Sequence, residues 1–421
     1  MVNLNDASLA PNPTGGWSSS LTSVASAVIA TTVSQEMIQP MGVFDADGHY
    51  LRQAVLWRDR PLMTEPEAVP DTVETLPGRW IWGGILLNHF GHFLTETTGR
   101  LWAVDAVKGD VDGIIFVSKR DSDEDGNVVA LQKYHEMFFD MLGLTLPIKI
   151  VTKPTRVELL EVPGQGFGIG TMASGTAEFR SFVRNRFAKD LAPVGGDKLY
   201  ISRSGLSAIR GGILEEPRLE SLLAADGYEI YHPQKHSLTD QIARYKAAKQ
   251  IVALDGSALH LLAMAGHSGQ QVAMIKRRDS DASVSIFNHL AAFLQRAPLV
   301  VNVIMQDWIR SDRTRADRFS VGELDFAKLG GELAAAGFIA SAESWKCLTD
   351  VEAKAAIAEV EKQLKGKLTF TPAPRKNGKA VRAVAAEKPA EPKVNARREQ
   401  RMANKAAEPT ERRKRRLAQN N

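Results

Sequence analysis

Cysteine is almost absent: Cys347 stands alone among 421 residues. A disulfide within the chain needs two thiols, and a multi-cysteine zinc or iron–sulfur site needs more, so both are excluded. A single thiol suits a reducing compartment. Long apolar runs are lacking as well, and no window reaches the ~18 consecutive apolar residues of a spanning helix. The stretch Met1 to Val33 has no basic segment, and its apolar part from Leu21 is diluted by Ser and Thr, so neither a signal peptide nor a membrane span is expected. The expected location is cytoplasmic.

What is present is an ordinary globular composition, 44% hydrophobic and 24% charged, in a chain too long for one core. The net charge of +4 hides an asymmetry. Residues 366–421 carry 16 Lys+Arg against 5 Asp+Glu, or +11, which leaves −7 on the remainder. An acidic body therefore bears a basic tail.

Five segments are expected. Residues 1–35 are Ser/Thr/Gly/Ala-rich and read as loosely ordered. Residues 36–194 read as a first α/β domain, with a buried strand at Gly113 to Ser118, a helix at Val129 to Leu142, a strand at Ile148 to Val151 and an amphipathic helix at Ser174 to Leu191. Pro193-Val194-Gly195-Gly196 marks the boundary. Residues 195–310 form a second α/β domain in which strands at Lys198 to Ser202, Tyr228 to Tyr231, Gln250 to Leu254, Gln271 to Ile275 and Leu299 to Ile304 alternate with helices. Such repeating units predict a parallel, doubly wound sheet. Residues 311–365 read as C-terminal helices and 366–421 as a disordered tail.

Chemistry concentrates first in Asn88-His89-Phe90-Gly91-His92-Phe93-Leu94-Thr95-Glu96, continuing to Leu101. As one helix it places Asn88, His92 and Glu96 at roughly 0°, 40° and 80° on one face. Phe90, Phe93, Leu94, Thr97 and Leu101 take the other. The same pattern also describes a core helix with satisfied histidines, and His89, His92 and Glu96 could converge on a metal ion. Chemistry recurs at Asp255-Gly256-Ser257-Ala258-Leu259-His260, between a strand and the next helix. There a helix N-terminus offers free N–H groups to a phosphate, Gly256 allows close approach, and Ser257 could cap the helix or donate to the phosphate. Arg203 and Arg210 follow the strand Lys198 to Ser202 and suit bidentate phosphate binding.

The ordered blocks Tyr200-Ile201-Ser202-Arg203, Arg210, Ile213-Leu214-Glu215-Glu216, Gly227-Tyr228-Glu229, Leu238-Thr239-Asp240-Gln241-Ile242 and Gly256-Ser257-Ala258-Leu259-His260, preceded by the Asn88-to-Leu101 motif, resemble glycosyltransferase family 61 and its bacterial capsular-polysaccharide members. The resemblance spans roughly residues 80 to 265. It implies a GT-B architecture, with two Rossmann-like domains facing across a cleft, inversion at the anomeric carbon, and no cofactor or obligatory metal. It also implies His92 or Glu96 as the base, and Asn88, Arg203, Arg210, Gln241, Asp255, Gly256, Ser257 and His260 around the nucleotide-sugar donor. Asp255 departs from the histidine or neutral residue of many members, and Glu215 stands where asparagine is usual. A carboxylate beside a diphosphate repels it unless it takes sugar or ribose hydroxyls.

The expected partners are a nucleotide-sugar donor and a glycan or lipid-linked acceptor. The alternative is an inactive, transferase-like binding or scaffold protein. In the tail, Arg412-Arg413-Lys414-Arg415-Arg416 could meet an anionic membrane at its inner face by charge. With Phe370 its one aromatic residue, the tail lacks the stacking groups for sequence-specific nucleic-acid recognition.

Overall fold

The computed structural model describes residues 10–374 apart from 35, 72 and 120–129. In chain order the first half contains β1 (Leu21–Ala30), β2 (Gln39–Pro40), β3 (Gly42–Phe44), β4 (Met63–Thr64) and β5 (Glu74–Leu86). Next come α1 (Phe90–Thr95), α2 (Ala103–Ala106), β6 (Gly113–Ser118), α3 (Lys133–Met141), β7 (Ile148–Val151), β8 (Thr155–Pro163) and α4 (Ala177–Arg186). Six of the strands make one mixed sheet in the order β3-β1-β8-β5-β6-β7, parallel from β8 to β7 and antiparallel at the β1 and β3 end. Alternation along β6 sorts its two faces: Ile114 and Phe116 pack into one apolar cluster, Ile115 and Val117 into another.

The second half is the expected repeat. It runs β9 (Lys198–Ile201), β10 (Gly212–Ile213), α5 (Glu216–Ala225), β11 (Glu229–Tyr231), α6 (Leu238–Ala247), β12 (Gln250–Leu254), α7 (Ala258–Ala265), β13 (Gln271–Ile275), α8 (Ala282–Leu294) and β14 (Leu299–Val301). Five of these strands form an all-parallel sheet in the order β11-β9-β12-β13-β14. The order reverses between β9 and β12, which makes their carboxyl ends the switch point where open α/β sheets hold ligands.

Three expectations need correction. Residues 21–30, read as loosely ordered, are a ten-residue strand inside the mixed sheet, and Ala27, Val28, Ile29 and Ala30 are almost wholly buried. Its Ser and Thr residues are used rather than idle: Ser23 Oγ donates to Glu161 Oε2 at 2.7 Å and Thr22 Oγ1 to Gln53 Oε1 at 3.0 Å. The stretch 311–365, read as helices alone, includes a strand. After β15 (Ile304–Arg310) come β16 (Val321–Leu324), α9 (Phe326–Ala335), α10 (Asp350–Gln363) and β17 (Phe370–Pro372), and β10-β16-β15-β17 form a further sheet. The tail therefore begins later than 366, because β17 pairs with β15 and buries Phe370. Residues 375–421, with the basic run and its expected disorder, lie outside the described residues.

The two larger sheets do not have separate interiors. One apolar cluster joins Phe93 and Leu94 of α1, Phe138 of α3 and Phe179 of α4 to Ile242 and Tyr245 of α6, Leu262 of α7 and Leu290 of α8. Ile29 tests the corrected N-terminal segment. Ile29→Ala should cost about 2–5 kcal/mol in urea unfolding, the usual loss for a core Ile truncation; a loss below about 0.5 kcal/mol, the surface value, would mean β1 is not part of the core.

Candidate active site

Two glycines deliver the chain to the site. The β5 register shifts between Trp82 and Gly84, and Gly84 has φ +90°, so a bulge turns the strand over after Trp82. A Cβ on Gly83 would lie 2.5 Å from the Phe116 ring. The bulge inverts the burial phase of β5: Trp82 and Ile85 share the outer cluster, Ile81 and Leu86 the inner one. From that inner face the chain enters α1.

The expected helix from Asn88 to Leu101 is shorter. α1 spans six residues and a 3-10 turn follows at Thr97–Arg100. Threonine hydroxyls compete for helix carbonyls, Thr95 Oγ1 donating to Gly91 O at 2.9 Å and Thr98 Oγ1 to Leu94 O at 2.8 Å, while Thr97 Oγ1 ties the turn back to Ile85 O of β5 at 2.9 Å. Asn88 falls outside the helix, but His92 and Glu96 still meet. His92 Nδ1 lies 2.8 Å from Glu96 Oε2.

Glu96 has no exposed side chain, whereas His92 keeps a third of its side chain exposed. Arg58 supplies the other partner, its Nε 2.5 Å from Glu96 Oε1 and its Nη2 3.0 Å from Oε2. Burial works to raise the Glu96 pKa, but the hydrogen bonds from His92 and Arg58 and their charges outweigh it and hold the carboxyl below its ordinary value. His92 Nε2 has no hydrogen bond among the described residues. His89, whose ring centre is 4.9 Å from that of His92, reaches solvent. Loss of hydration, then repulsion from His92, Arg210 and Arg318, lowers its pKa to about 4.

The switch point faces this helix. A Cβ on Gly91 would sit 2.5 Å from Ser257 Oγ, so only glycine lets α1 lie against the turn that opens α7. Ser257 makes no side-chain cap. No acceptor takes the N–H groups of Gly256, Ser257 and Ala258 among the described residues, which leaves them free to donate to an anion. Arg203 lies across the same turn, its Nη1 2.8 Å from where a Cβ of Gly256 would be, while its Nη2 donates to Arg210 O at 3.2 Å. Asp255 is 1% exposed. Arg277 Nε is 2.9 Å from Asp255 Oδ1, yet its N–H is directed at the Asp255 carbonyl at 3.0 Å, so neither carboxylate oxygen accepts a hydrogen bond among the described residues. Burial, with repulsion from Arg203, lowers the Arg277 pKa to about 9; burial lowers that of Arg203 too.

The other sequence candidates divide. Arg210 is exposed, and its side chain has no hydrogen bond or ion pair among the described residues. His260 Nδ1 lies 3.0 Å from His289 Nδ1, and burial, followed by the charge of His92, lowers the His260 pKa to about 4. Asn88 accepts from the Tyr134 hydroxyl through its backbone carbonyl, and its Oδ1 is buried without a partner among the described residues. Gln241 is used elsewhere: its Nε2 ties down the carbonyls of Pro233 and His236, at 3.0 and 3.3 Å. Glu215 adopts φ +55°, a left-handed position that asparagine tolerates better than glutamate. His89, His92 and Glu96 do not gather as metal ligands; among the described residues the one three-ligand cluster is Asp45, Asp47 and His49.

Sequence reasoning missed Arg58, Arg277 and Arg278, the last a further guanidinium whose charge also lowers the pKa values of Arg203 and Arg277 and whose Nε donates to Ser280 Oγ at 2.9 Å. The last two carried a signal, since they follow the strand end at Ile275, beside the switch point. Arg58 carried none: Trp57-Arg58-Asp59-Arg60 has no periodicity that points to Glu96.

Residues 90–272 match the family model described as Glycosyltransferase 61. The match supports a glycosyltransferase. It takes in His92, Glu96, Arg203, Arg210 and the Gly256-Ser257 turn, and leaves out Arg58, Arg277 and Arg318. No curated protein matches the chain. Among the described residues, no helix is long and apolar enough to cross a membrane.

The lowered Glu96 pKa fixes a sign. A carboxyl held below its unfolded value contributes stability above that value, and loses it as pH falls through the folded one. Glu96→Gln should therefore destabilise by about 1–3 kcal/mol at pH 7, and the penalty should shrink from about pH 4.5 downward. Urea midpoints at pH 7, 5 and 3.5 measure this; a penalty equal at all three would contradict an ionised, doubly paired Glu96.

Proposed function

We propose that the protein is an inverting glycosyltransferase of GT-B type that moves a sugar from a nucleoside-diphosphate donor to a glycan or lipid-linked acceptor, as in cell-surface polysaccharide assembly. The observation that carries the reading is the close approach of Gly91 to Ser257, which sets His92 beside a phosphate-type turn at the switch point.

The donor diphosphate lies against the Gly256, Ser257 and Ala258 amides, with Arg203 and Arg210 over it. Charge that develops on the leaving phosphate is met by the α7 N-terminus and by guanidinium groups already in place. On the opposite side His92 Nε2 takes the proton of the acceptor hydroxyl as the oxygen attacks the anomeric carbon. The new C–O bond forms on one face while the bond to phosphate breaks on the other, which inverts the centre. Glu96 serves His92 rather than the acceptor, because its carboxylate is buried and already paired with His92 Nδ1 and Arg58. The cations do the work a divalent ion would otherwise do, so no obligatory metal enters the reading. Asp255 in the diphosphate turn favours the alternative, an inactive transferase-like binder.

A screen of nucleotide sugars for binding and slow hydrolysis separates the two. Arg203→Ala should weaken donor binding at least about tenfold, the effect of one lost charge-assisted contact. His92→Ala should bind donor within about twofold of wild type and lose about 10²- to 10⁴-fold in turnover. Failure to bind any nucleoside diphosphate would favour the scaffold, and undiminished turnover by His92→Ala would remove it as the base. For the tail, the cut belongs after Pro374, which spares β17. That truncation should lose binding to vesicles rich in anionic lipid and keep donor hydrolysis; unchanged vesicle binding would reject a membrane role for the tail.

A further inference from the structure

We propose that Arg58 is a positioning residue that acts through Glu96 to keep His92 in the one protonation state able to accept a proton from the acceptor. The proposal rests on the reading of His92 as the base, and it concerns a residue outside the matched stretch 90–272.

The geometry makes the roles unequal. With a proton on Nδ1, His92 donates to Glu96 Oε2 at 2.8 Å and Nε2 carries the lone pair. In the other tautomer the Nδ1 lone pair would accept the longer 3.3 Å contact from Arg58 Nη2 but would face Glu96 Oε2 across 2.8 Å, so the closer, ionised carboxylate selects Nδ1–H. A buried carboxylate beside a histidine has a second option, which is to hold the imidazole as its cation. That would put a proton on Nε2 and end its use as a base. Arg58 works against this by two means. Its fork occupies both oxygens of Glu96, at 2.5 and 3.0 Å, so the carboxylate has a counter-ion without His92. Its Nη2 also sits 3.3 Å from His92 Nδ1, where a positive charge disfavours an imidazolium.

The other groups around His92 have assigned directions. Burial, then the charge of His92, holds His89 and His260 to pKa values of about 4, so near neutral pH both are uncharged and place no charge of their own beside His92. The charges of Arg210 and Arg318 also lower the His89 pKa. Among the described residues Glu96 is the acid in direct contact with His92, and Arg58 is paired with it directly.

Arg58 is also held rigidly. The flanking Trp57 donates its N–H to Gln165 Oε1 at 2.8 Å and accepts from Gln165 Nε2 at 2.9 Å. The Arg58 amide donates to Arg60 O at 3.0 Å, and the nearby Val55 carbonyl accepts from Arg100 Nη2 at 2.8 Å. Two buried side chains from other segments therefore fix the loop that aims the guanidinium, as a preorganised site requires.

Nitrogen NMR of the histidine-labelled full chain reads the proposal without a donor, with His92→Ala for assignment. Wild type should show His92 as the Nδ1–H tautomer. Arg58→Gln should raise its titration midpoint by about 0.5–1 pH unit, the effect of removing one nearby cation, and Arg58→Lys should fall between. In donor turnover, Arg58→Gln should lower kcat by about 10- to 100-fold, as loss of an orienting partner does. The donor KM should stay within about twofold and the acid limb of the rate profile should move up in pH. On a Glu96→Gln background the further loss should be under about twofold, since coupled residues are not additive. An unchanged tautomer and midpoint in a folded Arg58→Gln protein would overturn the proposal, as would an equal loss with and without Glu96. Turnover that survives His92→Ala would overturn the base assignment itself, a result distinct from either NMR outcome.

Discussion

A carboxylate with no exposed side chain must be given its charges by the protein, and Glu96 is that group. Burial alone would neutralise it; His92 and Arg58 together keep it ionised. Much of the first half of the chain follows from bringing those two partners to it. The Gly83-Gly84 bulge turns β5 so that its exit feeds α1 from the inner face of the sheet. Threonine back-bonds end α1 after one and a half turns, so that Glu96 stands at its C-terminal edge, within reach of a residue from outside the helix. Arg100, fully sequestered and lowered by burial to a pKa of about 9, spends its guanidinium on carbonyls of Val55 and Pro163, which fixes the segment carrying Arg58.

The facing side solves the opposite problem. Arg203 and Arg277 are taken out of water close to each other, where their charges repel, and Asp255 is the acid set between them. Among the described residues its oxygens accept no hydrogen bond, although Oδ1 is ion-paired with Arg277 at 2.9 Å, and the Arg203 Nε is buried without an acceptor. Each such orphan costs about 1–3 kcal/mol. A stable core would replace them with apolar groups of the same volume. Their retention at the switch point suits a site whose partners arrive with a ligand, and it is the physical reason the carboxyl ends of β9 and β12 stand apart from the rest of the sheet.

How much of this was legible depended on the range of the interactions. In the second half each strand is covered by the helix that follows it, so local alternation carried the fold. The strands Gln250–Leu254 and Gln271–Ile275 fall where their apolar runs end, and Ser237 caps α6 as its spacing implied. In the first half the partners are remote. β1 pairs with β8, more than a hundred residues on, and its Ser and Thr residues looked like weak order because their acceptors lie on other segments. His92 and Glu96 were legible because four residues make one helical turn. Arg58 was not, since it reaches Glu96 across 38 residues of chain. Nothing in the stretch around Gly91 explains a glycine there, and its reason is visible only with Ser257 opposite.

That contact also bears on how the site is held. Two α/β halves facing across a cleft suggest bodies that rock about a hinge, but here the layer beneath the site is one continuous apolar cluster drawn from α1, α3 and α4 on one side and α6, α7 and α8 on the other. Close-packed interiors do not deform gradually, so opening this layer would expose Phe93, Tyr245 and Leu262 together. The alignment of His92 with the Ser257 turn is therefore set by the core and not by closure on a ligand. Freedom to adjust is left to exposed groups at the rim, His89, Arg210 and Arg318, none of which is buried in that cluster. On the proposed reading of His92 as the base and the Ser257 turn as the phosphate site, both are fixed in advance, and the exposed groups lie at the surface, where sequence change alters recognition at little cost to the fold.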